Sequence, residues 1–136
     1  MEQMTLKQKN AVMRVLLDVV LADGIEDERE KKFFNLIADI MELDKSVYDT
    51  VKQQSTLAAL LEIDGLLQEQ KLAVAQLMGK MIVADEEIHP KEVEIYNAVR
   101  HFCHIDMPLA DAIESDPISE LVDEDAFGLC YDDKPF

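Results

Sequence analysis

Apolar residues return every three or four positions over most of the chain, the spacing of helices that turn one face into a core. Val12, Val15, Leu16, Val19 and Val20 form one stripe, and Val74, Leu77, Met78, Met81 and Ile82 form another. Sliding the sequence against itself by 62 positions, the distance from Asp23 to Asp85, superimposes the stripes and aligns residues 8–44 with 70–106 without a gap. Gln8, Lys9, Ala11, Val12, Ala22, Asp23, Glu30, Asn35 and Asp44 then fall on Gln70, Lys71, Ala73, Val74, Ala84, Asp85, Glu92, Asn97 and Asp106. Each copy reads as a long apolar helix, an acidic turn and a second amphipathic helix. The second helix carries Phe33, Phe34, Ile37, Ile40 and Met41 in copy 1, and Ile95, Tyr96, Val99, Phe102 and Cys103 in copy 2. Within a copy the stripes are expected to face each other.

Punctuation along the chain supports this division. Asp27 with Glu30 has capping-box spacing, and His89, Pro90 and Glu92 offer a weaker cap, a first-turn proline and the same glutamate. Asp44 and Asp106 are placed to cap a third helix in each copy, at about 45–54 and 107–114. Ser55 to Ile63 reads as a bridging helix ended by the Asp64-Gly65 turn signal. Another short helix is expected after Asp116-Pro117, and from Asp123 the chain is an acidic tail or strap with scattered aromatics. No alternating pattern long enough for a sheet is present. The expected fold is an all-α bundle of seven or eight helices in one domain over 1–136, with repeat 1 at about 8–54, the bridge at 55–64, repeat 2 at about 65–114 and an acidic segment at 115–136.

Composition adds limits. A hydrophobic content of 49% over 136 residues is enough for a core without disulfides or metal. With 29 acidic against 13 basic side chains the net charge is −16, which repels phosphate backbones and anionic lipid, so neither nucleic acid nor a membrane surface is an expected partner. Hard cations and basic protein patches are. The apolar stretch within residues 1–24 is broken by Asp18, preceded by Glu2 and followed by no small-residue cleavage site, so it reads as a core helix. No run approaches the roughly 18 apolar residues of a membrane span. Cys103 and Cys130, the only cysteines, form no CxxC, which suits a reducing compartment and makes cytoplasm the expected location.

The two acidic turns, Ala22-Asp23-Gly24-Ile25-Glu26-Asp27-Glu28-Arg29-Glu30 and Ala84-Asp85-Glu86-Glu87-Ile88-His89-Pro90-Lys91-Glu92, resemble the signature of the tellurite-resistance TerB-like family. That signature is Ala-Asp-Gly, a spacer, a hydrophobic residue, a helix cap and a glutamate seven residues after the Asp. The resemblance extends over residues 8 to about 114. Glu86 replaces the glycine in copy 2, and Ile25 arrives one residue early in copy 1. The resemblance implies an all-helical pseudo-repeat, an association with tellurite and other stress resistance, a proposed role of acidic residues in metal binding, and no established enzymatic activity.

Elementary electrostatics adds to the cation reading. Asp23 and Asp85 lie just past the ends of long helices, where the macrodipole is negative and the last carbonyls lack intrahelical partners. A hard divalent cation, calcium or magnesium, would join an aspartate oxygen, free carbonyls and a nearby glutamate. The candidate ligands are Asp23, Glu30, Asp85 and Glu92, with Glu26 and Glu87 secondary and Glu86 in reach. The plainer reading is that Glu30 and Glu92 serve their helix N-termini and that Asp23-Gly24 is an ordinary turn. An EF-hand is excluded, because the glycine and final glutamate of its loop fall on Glu28 and Phe34, or on Pro90 and Tyr96.

His101, Cys103 and His104 cluster as soft-metal donors, yet Cys103 takes the core register of Met41 and the histidines suit a helix C-terminus. No phosphate loop, GxSxG elbow or HExxH is present. A non-enzymatic stress-response domain with a divalent cation at its acidic turns is the leading expectation. The alternative is a metal-free adaptor presenting an acidic helical surface to a basic partner.

Overall fold

The computed structural model describes residues 4–22, 24, 27–44, 46–84 and 87–114; there the chain is all-helical, with seven helices and no strand. They are α1 (Leu6–Val20), α2 (Glu28–Ile40), α3 (Val47–Lys52), α4 (Thr56–Asp64), α5 (Gln68–Ile82), α6 (Pro90–Phe102) and α7 (Leu109–Glu114). Shifted by the same 62 positions, α1, α2 and α3 coincide with α5, α6 and α7 at both ends.

The capping chemistry repeats with the helices. Gln8 accepts from the N–H of Thr5 at 2.9 Å before α1, and Gln70 accepts from the N–H of Leu67 at 3.0 Å before α5. After α2 and α6 the chain passes through the left-handed region at Glu42 (φ 60°) and His104 (φ 58°). The N–H groups of Leu43 and Ile105 then return to the carbonyls of Ala38 and Arg100, both at 2.9 Å. That return bond closes the helix end and satisfies a carbonyl the helix leaves open. Neither residue is glycine, and the left-handed backbone costs an L-residue about 1–2 kcal/mol.

α1 and α5 form the centre. Val12, Val15, Leu16, Leu17 and Val19 are fully buried on α1, as are Val74, Leu77, Met81 and Ile82 on α5. Each such side chain contributes about 1.5–3 kcal/mol by leaving water. α1 packs against α2, α3, α4, α5 and α6, so the two copies share one interior. The bridge α4 is part of it, with Ala59 and Ile63 fully buried. Lys7 pairs with Glu62 at 3.0 Å and Arg14 bonds Thr56 at 3.2 Å, so α4 runs back along α1.

Two expectations need correction. The third helices start later, at Val47 and Leu109, and neither Asp44 nor Asp106 is a helix N-cap. Ser46 takes that position for α3, while the Asp44 carboxylate accepts from the Ser46 N–H at 2.9 Å as a turn residue. Phe102, expected in the core, ends α6 at 37% exposure. The helix expected after Pro117, and everything from 115 to 136, lies outside the described residues.

Candidate cation site at the helix bends

α1 ends at Val20 because the chain leaves helical geometry at Leu21, and α5 ends in the same way at Val83. The N–H groups of Ala22 and Ala84 each return at 3.2 Å, to the carbonyls of Val19 and Met81. In copy 1 the turn then passes through Gly24, whose φ of 78° explains the glycine of the Ala-Asp-Gly sequence. Asp23, Glu26, Asp85 and Glu86 lie outside the described residues, so their place in either turn is an expectation from sequence.

Glu30 and Glu92 are described, and both occupy the third position of their helix with 1% exposure. They sit in the first turn, where the positive end of the helix dipole favours a carboxylate. Glu92 Oε1 accepts from the N–H of His89 at 3.2 Å, the back-bond of a capping box. At the matching place in copy 1, Asp27 accepts from the N–H of Arg29 at 2.8 Å. Glu87 points elsewhere: its side chain is 75% exposed and its Oε2 lies 3.9 Å from His89 Nε2. The bends therefore place two buried carboxylates at equivalent sites and leave Glu87 on the surface. Among the described residues no three His, Cys, Asp or Glu side chains converge as a metal would need. Glu30 and Glu92 each offer carboxylate oxygens, the donor type that calcium and magnesium take.

The late histidine–cysteine cluster resolves into structural roles. Cys103 is fully buried and its Sγ–H donates to the Leu60 carbonyl at 3.4 Å. Burial pushes its thiol up to about 11, the opposite of what a nucleophile needs. His104 Nδ1 contacts Asp64 Oδ1 at 3.2 Å, and His101 lines an open depression of about 600 Å³ with Arg100 and His104.

Two polar networks escaped the sequence reading. Asp64, read there as a turn residue, joins Lys71 Nζ at 3.3 Å as well as His104. The His104 contact, ahead of the Lys71 charge, holds its carboxyl below the usual carboxylate range. Asp18, read as an interruption, accepts from Arg14 Nη2 at 2.8 Å and from the Thr56 hydroxyl at 2.9 Å. Arg14 Nη1 also donates to the carbonyls of Val51 and Lys52, both at 3.1 Å, tying α1, α3 and α4 together. A helical i, i+4 Arg–Asp pair was the available signal.

The fold and its bends define an all-helical domain built from a tandem helix–bend–helix module. No family model and no curated protein matches the chain. Among solved structures it is similar to the protein of unknown function PG1108 from Porphyromonas gingivalis W83, with 16% identity and a TM-score of 0.66 over 90% of this chain and 100% of that one. At that identity the likeness shows the fold alone.

Proposed function

We propose that the protein is a non-enzymatic, TerB-like stress-response domain that binds a divalent cation, calcium or magnesium, at its helix bends. The observation that carries this reading is the burial of Glu30 and Glu92, each 1% exposed, at equivalent first-turn positions of α2 and α6. Taking a carboxylate out of water costs several kcal/mol. Cap hydrogen bonds stabilise such a group, and a cation adds a counter-charge that N–H groups do not carry. By their place in the sequence, Asp23 and Asp85 are the further ligands of this reading, with Glu26 in copy 1 and Glu86 in copy 2 as secondary candidates.

Calorimetric titration of the metal-free chain with calcium, magnesium, manganese and zinc tests the reading. Saturable heat is expected with calcium or magnesium, lost in the Asp23→Ala/Asp85→Ala double variant. Heat no greater than dilution, in wild type and double variant alike, would end it. A second reading, an adaptor for a basic protein, gains support from Leu57 and Leu61, which sit one turn apart on α4 at 58% and 59% exposure. Capture of a partner that weakens with salt but ignores chelator favours it.

A further inference from the structure

The two copies differ most where the third helix meets the first. In copy 2 a Cβ on Gly79 would lie 2.8 Å from the Ala112 Cβ, so α7 rests directly on α5. Leu17 holds that register in copy 1, and between α1, α2 and α3 there is a cavity of about 310 Å³. Its floor is Leu17, Val20 and Phe34, at 0%, 1% and 2% exposure. Tyr48 forms one wall, edge-on to Phe34 with ring centroids 5.8 Å apart. Lys31 and Lys52 stand at the lining, with Lys52 Nζ 5.4 Å over the Tyr48 ring.

Both ammonium groups belong to copy 1 alone. Their counterparts 62 positions on are Val93 and Glu114, and the counterpart of Tyr48 is Ala110. Core packing therefore does not explain the lysines, since the copy that packs tightly lacks them. In a chain of net charge −16, this cavity still has two lysines in its lining. The volume lies at the small end of ligand pockets, which combine an apolar lining with a few polar groups that fix orientation. Lysine offers a compact positive charge, and Lys52 holds its own over an aromatic face.

We propose that this cavity binds a small organic carboxylate, its aromatic or branched aliphatic body on Leu17, Val20, Phe34 and Tyr48 and its acid group between Lys31 and Lys52. The site is separate in chemistry from the cation reading of the bends, and neither depends on the other.

Titration of the full chain with phenylpropionate, followed by NMR in the presence of EDTA, tests the proposal. Saturable shifts are expected at Leu17, Val20, Phe34 and Tyr48, with none at Gly79 or Ala110. The uncharged isostere phenylpropionamide should bind about tenfold more weakly, as loss of two solvent-accessible charge contacts predicts. Lys31→Gln/Lys52→Gln should lower the carboxylate to the amide's affinity and leave the affinity for the amide unchanged. Equal affinity for acid and amide, shifts centred elsewhere, or no saturation would overturn the proposal. Chelator removes metal from the experiment, so a failure here is distinct from a failure of cation binding.

Discussion

The two copies of the module serve the same backbone need with different residues. In copy 1 Arg14 reaches from α1 to the Val51 carbonyl at 3.1 Å. In copy 2 the counterpart of Arg14 is Gln76, and Lys80, the counterpart of Asp18, reaches from α5 to the Ile113 carbonyl at 2.6 Å. Val51 and Ile113 are themselves counterparts. A helix of six residues, as α3 and α7 both are, is not stable by itself and depends on what holds its end. The repeat has kept a cation on that carbonyl while exchanging the helical turn that supplies it.

Arg14→Met should be the most damaging test of this difference. It strips four hydrogen bonds and leaves Asp18, whose side chain is 17% exposed, without its guanidinium. Losing one partner of a largely buried pair costs about 3 kcal/mol. Lys80→Met removes a single charged hydrogen bond and should cost about 1.5 kcal/mol. Urea denaturation of both variants measures the gap, and equal losses would break the comparison.

Gly79→Ala comes next. Its new methyl meets Ala112 at 2.8 Å and the Ile113 backbone nitrogen at 3.1 Å, so α7 must shift. Overpacking of this kind costs about 1–3 kcal/mol, from which the better helix propensity of alanine subtracts up to about 1. A net loss in thermal denaturation is expected, and a gain would show that α7 yields freely. Tyr96→Phe, which gives copy 2 the residue copy 1 has at Phe34, removes the hydroxyl bond to the Met107 carbonyl at 2.7 Å and should cost about 1 kcal/mol. Burial pushes the Tyr96 phenol up to about 12 from its ordinary 10.0. A raised value keeps the folded phenol protonated, so its contribution is whole below pH 10.0 and is lost as pH rises toward 12. The alkaline limb of the stability curve should therefore be shallower in Tyr96→Phe.

How far these features could be read from sequence depends on whether their signal was local. The helices of both copies follow from apolar spacing, and Asp27, Ser55 and Pro90 mark starts that the structure has. Asp44 looks like a cap and so predicts the third helix too early, whereas Ser46, two residues on, takes that position and Asp44 bonds the turn before the helix. Phe102 continues an apolar stripe but falls at the last residue of α6 and is 37% exposed. Repeat and spacing single out Glu30 and Glu92, but their burial is tertiary and no local pattern announces it. Gly79 has a helical register with no local need for glycine, so the close approach of α7 is visible only in the fold. The cavity of copy 1 is the other face of the same fact.

The smallest expected effect separates the copies by pH. Lys9 and Lys71 are counterparts, and each serves the neighbourhood of the left-handed residue after the second helix. Lys9 does so directly, donating to the Met41 carbonyl at 3.0 Å, and a carbonyl does not titrate. Lys71 does so through Asp64, which also holds His104, so in copy 2 a carboxylate stands in the path. The His104 hydrogen bond lowers the Asp64 carboxyl from its ordinary 3.8, and Lys71 lowers it further. A lowered value means the contribution is complete above pH 3.8 and disappears as pH falls through the folded-state value below it. Melting temperature should therefore fall more steeply below pH 3.8 in wild type than in Asp64→Asn, the difference being small because the Asp64 and His104 side chains are 38% and 78% exposed. Asp44, lowered by the Ser46 N–H and hydroxyl, stays in the variant and keeps part of the acid limb. Lys9→Met supplies the contrast, because its cost should be the same at neutral pH and at pH 3.8. Parallel acid limbs in wild type and Asp64→Asn would mean that the relay in copy 2 holds nothing the direct contact in copy 1 does not.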